Sequence, residues 1–477
     1  MVACRIALLL CTFTLLGVLA GTLTGCATYS ESFGAIERNL SARQYDAALQ
    51  DIEKQSHSKT ERVLYLLNKG MVLRMKRDFS GSNQALEAAK TEMERLYAAS
   101  VSENALSFVV NDATVSYAGD DYEQVLVHLY MALNYLELGQ LHEARVEALQ
   151  VDIKLREIGE KIPENKFTED ALSRYLTGLI YEELGEWSDA MIDYRKAYEA
   201  YKKYQVNYGV PVPDMLKHDL LRLAQRQGLR DELALYKKEF GITPAQEENR
   251  ALEQEGELVF VLNNGLAPIK REKVVGAFAP PPSVVMGTAA PRKQVTPAPI
   301  IVNIALPYYE SRPTQVMSAR ISVSGKLSGK LSGKQAYTQM MENIDAIARA
   351  SLDSRMPAIT ARTIARAVAK GAIQESVDRA GNNRNNDAAG ALLGSFIVRV
   401  AAIATERADT RSWLTLPENI QLARLSLPPG SYTVTVDLLG AGGQVLSTLE
   451  YPGIVINKRH KTYLTQHWVS DDPTTRR

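Results

Sequence analysis

Cysteine is nearly missing from this chain: three in 477 residues, Cys4, Cys11 and Cys26, all near the start. No disulfide framework or cysteine-ligated metal site can therefore stabilise the rest of the chain, and stability has to come from packing. Histidines number six and include no HExxH spacing; a nucleophile-elbow pattern is missing too, so no hydrolase signature is present. The chain reads as a non-enzyme without a cofactor or metal. Net charge is also missing, with 55 basic and 55 acidic side chains, which removes bulk charge as a reason to expect a polyanion or a membrane surface as ligand. What is there is ordinary for a folded protein: 45% hydrophobic and 23% charged residues, at a length that suggests two to three domains.

The balanced total hides an asymmetry. Residues 26–255 carry 28 basic and 39 acidic side chains, and residues 256–477 carry 26 and 16. The halves stand at about −11 and +10 and should attract each other.

Arg5 precedes the apolar run Ile6 to Ala20, which has the layout of a secretory signal and is short for a membrane span. Leu23-Thr24-Gly25-Cys26 comes next and resembles the lipobox of bacterial lipoproteins at every position. The resemblance implies cleavage after residue 25 and acylation of Cys26, against the alternative of an ordinary signal with a chance cysteine. Three acyl chains would anchor the protein where one anchors only marginally. Ala27 is not the aspartate that retains lipoproteins at the inner membrane, so the sorting rule points to the outer membrane, facing the periplasm.

From Glu31 to Phe240 apolar residues recur at three and four positions and prolines are few, which predicts helices. Within Leu172 to Tyr201, the residues Gly178, Tyr181, Gly185, Trp187, Ala190, Tyr194 and Ala197 occupy the small, large and turn positions of a tetratricopeptide (TPR) repeat. Ala132, Tyr135, Gly139, Leu141, Ala144 and Ala148 form a second unit, and Gly70, Leu73, Phe79, Ser82, Leu86 and Ala89 a third. Weaker units lie at Tyr45 to Ile52 and Leu221 to Tyr236. Residues 97–121 and 158–168 read as insertions. The repeat pattern puts Leu129, Leu133, Leu136 and Glu137, then Tyr175, Leu179, Glu182 and Glu183, on a concave face able to hold a partner's segment, unless they are simply buried. Tyr194, Tyr198, Tyr201 and Tyr204 share a helical face and read as core; the acidic surroundings argue against a nucleic-acid partner.

The pattern changes at Gly256. Glu257 to Leu262 is an apolar strand, and the six prolines between 280 and 299 mark an extended connection. Ile300 to Leu306 and Val316 to Val323 read as strands. The Ser-Gly-Lys-Leu tract from Ser324 to Lys334 is not a phosphate loop, because no Ser or Thr succeeds its lysines. Ala336 to Leu352 and Ile359 to Arg379 read as helices broken at Met356-Pro357, the second with Arg362, Arg366 and Lys370 on one basic face. Ala388 to Val398 reads as a buried helix. From Pro428 onward alternating residues predict strands of a small β-sandwich, with Gly440 to Gly443 as a hairpin turn. Acidic neighbours such as Asp120-Asp121 and Glu182-Glu183 read as solvated.

The predicted class is α+β multidomain: signal peptide 1–25, helical repeats 26–250, a strand and proline-rich connection 251–299, and an α+β domain 300–477 ending in the sandwich. The lipobox, the divergent repeats with Ala132-Leu133-Asn134-Tyr135-Leu136 and Ala144-Arg145-Val146-Glu147, Gly256-Glu257-Leu258-Val259, Asn264-Gly265-Leu266-Ala267-Pro268, Ile304-Ala305-Leu306-Pro307, and Ala408-Asp409-Thr410-Arg411-Ser412-Trp413 with Leu416-Pro417 together resemble a family of TPR-containing lipoproteins of Gram-negative bacteria. That resemblance spans nearly the whole mature chain. It implies a place in the cell envelope, the family's genes often neighbouring those of lipoprotein activators of penicillin-binding proteins. Two functions fit: a scaffold that holds envelope proteins in its repeat groove, or a peptidoglycan-associated binder or regulator of a peptidoglycan synthase that works through the basic C-terminal half.

Overall fold

The computed structural model describes residues 29–102, 115–161, 167, 169–242, 254–279, 300–324, 334–382 and 407–470. Cys26 and its signal, the proline-rich stretch, most of the Ser-Gly-Lys-Leu tract and Ala388 to Val398 lie outside them.

After one helical turn at Tyr29–Ser32, ten helices form five hairpins among the described residues: α1 (Gly34–Ser41) with α2 (Tyr45–Glu53), α3 (Arg62–Met75) with α4 (Phe79–Ser102), α5 (Asp121–Glu137) with α6 (Leu141–Lys161), α7 (Ala171–Glu183) with α8 (Trp187–Tyr208), and α9 (Asp214–Arg226) with α10 (Arg230–Phe240). The turns share one geometry, with a left-handed residue at Arg43, Arg77, Gly139, Gly185 and Gly228. Close helix approach explains the small residues. A Cβ on Gly178 would lie 2.4 Å from the Tyr194 ring, and one on Gly70 would lie 2.8 Å from Leu86.

The C-terminal half builds two four-stranded sheets. β1 (Gly256–Asn264) lies between β10 (Lys461–Trp468) and β7 (Asn419–Leu427), with β6 (Gln339–Asn343) outside β7; the second sheet has the order β5 (Gln335–Tyr337), β4 (Ser318–Ser324), β8 (Gly430–Leu439), β9 (Val445–Ile456). β2 (Ile269–Ala279) and β3 (Ile300–Glu310) pair as a separate hairpin across the proline-rich stretch. Leu258, Phe260, Leu262, Ala423 and Leu464 of the first sheet pack on Ile321, Tyr432, Val434, Val436 and Leu438 of the second. Layering therefore begins at Gly256, far ahead of Pro428.

Two expectations are corrected. Between Ala336 and Asn343, where a helix is predicted, the chain forms strands because two sheet edges recruit it: β5 pairs with β4, Tyr337 opposite Arg320, and β6 pairs with β7, Gln339 opposite Leu422 and Asn343 opposite Asn419. Helix α11 (Ile344–Asn382) runs through Pro357 without a break. Pro357 and Asp353, the residue whose carbonyl the proline leaves without a helical donor, both face water, which can satisfy it.

Candidate functional site

The concave face of the repeats is the site the sequence nominates, and the protein covers it with its own first sheet. Strand β1 explains how. All nine of its residues are buried, because alternate side chains face opposite layers. Leu258, Phe260 and Leu262 enter the sheet-to-sheet core, whereas Val259 and Val261 enter one continuous apolar cluster with Leu129, Leu133, Leu136, Tyr175 and Leu179 of the helices. Leu422 of β7 and Tyr463 of β10 join that cluster.

Every nominated residue is withdrawn from water. Leu129, Leu133 and Leu136 are at most 4% exposed, Tyr175 and Leu179 are fully buried, and Glu182 is 7% exposed. The side chains of Glu137 and Glu183 are similarly covered, at 3% and 4%. Their polar groups are spent on the sheet: Glu137 accepts from the Thr465 backbone N–H, and Glu183 accepts from the Lys461 N–H at 3.1 Å. On the same face, Tyr130 donates to Asn263 at 3.0 Å.

Charge matches the asymmetry of the two halves. Arg424 of β7 donates to Glu257 at 2.8 Å and reaches Asp219 of α9 and the Tyr175 hydroxyl. Glu182 is bound by Arg222 at 2.8 Å and lies 3.9 Å from Lys461. Burial alone would raise the Glu182 carboxyl, but Arg222, Lys461 and Arg424 overcome it and hold it well below the usual range. Asp120, the N-cap of α5, accepts from Lys270 at 2.9 Å, from Arg355 at 2.9 Å and from Tyr309 at 3.2 Å. Against its burial, Arg355 and Lys270 keep it ionised. The reading of Asp120 and Glu182 as solvated is thus corrected: both sit in the contact between the halves. Glu123, three residues on, is buried beside Asp120 and pushed up to about 7, first by desolvation and then by that neighbouring charge. It accepts from Tyr117 at 2.6 Å and from the Trp413 N–H at 2.7 Å.

Of the basic face expected on α11, Arg362 is exposed and Arg366 is 4% exposed, and the side chain of Lys370 lies outside the described residues. Arg355 of the same helix reaches Asp120 of the repeats.

The tyrosines Tyr194, Tyr198, Tyr201 and Tyr204 are buried. Tyr194 donates to Glu182 at 2.7 Å and Tyr201 to the Met341 carbonyl at 3.2 Å, so this row also meets the C-terminal half. The segment around Trp413 acts as a strap between the halves. Arg411 donates to the Val115 carbonyl at 2.8 Å, and Thr415 donates to Asn68 of α3 at 2.8 Å. Sequence reasoning did not find this strap, since nothing in its composition marks a contact some 300 residues distant.

Among the described residues no three His, Cys, Asp or Glu side chains group as metal ligands, and no helix is long and apolar enough to cross a membrane. No protein-family model and no curated protein matches the chain. Among solved structures it is similar to the crystal structure of MamA, at 14% identity and a TM-score of 0.28, over 43% of this chain and 90% of that one. A second structure, MamA AMB-1, gives 14% identity and a TM-score of 0.26 over 46% and 93%. Scores of this size leave the description of the repeats to rest on their own turns and packing.

Proposed function

We propose that this chain is a lipid-anchored outer-membrane lipoprotein whose repeat array serves, without catalysis, as a periplasmic scaffold for envelope proteins. The observation that carries the scaffold reading is the division of the array into a covered inner face and an accessible outer one. On α6, Val146, Leu149 and Ile153 are 54%, 39% and 46% exposed, and their spacing puts them on one side of the helix. Isolated exposed apolar residues need no explanation, but a row of three on a repeat helix offers a protein partner an anchor. A partner seeking Leu129 or Leu179 would first have to displace the sheet.

Membrane attachment rests on Leu23 to Cys26. Cys26→Ser should abolish incorporation of an alkynyl fatty acid and leave an unprocessed precursor; a wild-type protein that takes no label contradicts the lipoprotein reading. The scaffold is tested in cells with a photo-crosslinking residue at position 149 of the full-length protein and, as a buried control, at 179. Defined protein adducts should form from 149 and not from 179. Adducts from neither position would remove the scaffold.

The peptidoglycan alternative draws on the basic surplus of the C-terminal half. Lys270, Arg312, Arg355, Arg424 and Lys461 spend that charge inward on Asp120, Glu37, Asp219, Glu257 and Glu182. Less of it remains for an outside polymer.

A further inference from the structure

Where the first two hairpin turns meet the end of the first sheet there is a cavity of about 260 Å³. Arg43, Arg74, Arg77, Tyr451 and His467 line it, and among the described residues Glu450 is the single carboxylate in its wall. Three guanidinium groups line it against one exposed carboxylate, and with Glu137 behind Arg77 the surroundings remain cationic.

Two independent observations say that this is a built site. Arg74 is only 5% exposed and has no ion-pair partner among the described residues. One of its terminal nitrogens bonds Asn134, its Cζ lies 5.6 Å from the ring centres of Phe79 and Tyr130, and Nη2 has no hydrogen-bond partner among the described residues. A buried guanidinium without a direct ion pair is costly: Glu137 attracts Arg74 without pairing with it and bonds Arg77 at 3.3 Å and the Thr465 N–H. His467, 8% exposed, donates from Nε2 to the Gly265 carbonyl at 3.0 Å, which leaves Nδ1 as a buried acceptor, also unpartnered among the described residues.

The second observation is backbone strain. The left-handed position of the hairpin turn is glycine in the last three hairpins, Gly139, Gly185 and Gly228, but arginine in the first two, with φ of 57° at Arg43 and 68° at Arg77. A side chain is disfavoured in that conformation. Only these two of the five turns face the cavity, and both break the glycine pattern to place a cation there. Arg43 has no ion pair among the described residues; its guanidinium is held 4.6 Å from the Trp468 ring centre.

We infer that this cavity binds a small solute carrying an oxyanion, a carboxylate or phosphate group, together with a hydrogen-bond donor for His467 Nδ1. The anion supplies the missing partner of Arg74 Nη2 and draws in Arg43 and Arg77, whose forked donors suit bidentate oxygens. The volume suits a solute rather than a polymer segment. The inference stands apart from the scaffold reading and does not depend on it.

The test is calorimetric titration of the full-length protein in detergent with inorganic phosphate, malate and succinate, at constant ionic strength set with chloride. Saturable binding of phosphate or malate is expected, and which of the two binds tells a phosphate site from a carboxylate one. Succinate, which lacks the malate hydroxyl, should bind several-fold more weakly than malate if the carboxylate is preferred. Arg43→Gly should weaken binding at least tenfold while melting within a few degrees of wild type, because glycine suits the turn. Arg43→Asn, which also tolerates the left-handed turn, should do the same and guards against a folding artefact. No saturable binding of phosphate or malate, or unchanged affinity in both variants, overturns the proposal.

Discussion

Gly178 shows how one residue sets helix approach. A Cβ there would meet Tyr194 at 2.4 Å, and Tyr194 is itself fixed by Glu182, so it cannot swing away freely. Gly178→Ala should cost about 1–3 kcal/mol in chemical denaturation. Gly159 of α6, where a Cβ would meet nothing within 4 Å, should gain up to about 1 kcal/mol as alanine. Two buried titratable groups make opposite contributions with pH. Burial, and to a lesser degree Arg74, push the His467 imidazole down to about 4 although its Gly265 bond opposes this; below 6.5 the unfolded chain binds the proton that the folded one refuses, so stability falls as pH drops. Glu123, raised to about 7, behaves in reverse: between 7 and 4.5 the folded state takes the proton first, and stability rises as pH drops. Each is worth about 2 kcal/mol between pH 7 and 5. Relative to wild type, His467→Asn should gain stability on acidification and Glu123→Gln should lose it, measured as urea midpoints at both pH values.

At the scale of elements, the hairpins were legible because their turn and packing residues recur locally: Gly139, Gly185 and Gly228 mark turns that the structure places between helices. The apolar run Glu257 to Leu262 was legible as a strand, but its destination was not. An uninterrupted apolar strand says that both faces are buried without saying that one of them faces helices more than 70 residues upstream. β5 and β6 were missed because their pairing with β4 and β7 overrides a helical composition. α11 was split at Pro357 because propensity weighs a proline without knowing that its turn faces water. The two-sided burial of β1 has a measurable consequence. Val259→Ala on the helix side should cost about 1–3 kcal/mol and Phe260→Ala on the sheet side about 3–5, whereas Val455→Ala, 53% exposed on β9, should change stability by less than about 0.5 kcal/mol.

At the scale of the whole molecule, the opposite charges of the halves meet in a contact that also buries apolar surface. Exposed ion pairs contribute about 0–1 kcal/mol and are screened by salt, whereas buried ones are screened much less. Here Arg424, Asp219 and Glu257 are buried, and the Val259, Val261, Leu422 and Tyr463 side chains lie in the same cluster as the inner helices. The residues named from the repeat pattern lie buried against the first sheet; what the pattern could not display is that the chain supplies its own occupant. A contact that joins buried ion pairs to apolar surface should persist at high salt.

The covered inner face is tested most directly by thiol accessibility. Cysteines are confined to positions 4, 11 and 26, so Leu179→Cys and Leu149→Cys each add one new reporter, read against the parent chain. With a maleimide on the folded full-length protein, Cys introduced at 149 should react rapidly, and at 179 should stay protected at both low salt and 1 M salt until denaturant is added. Equal labelling at the two positions in the folded protein would contradict the closed groove.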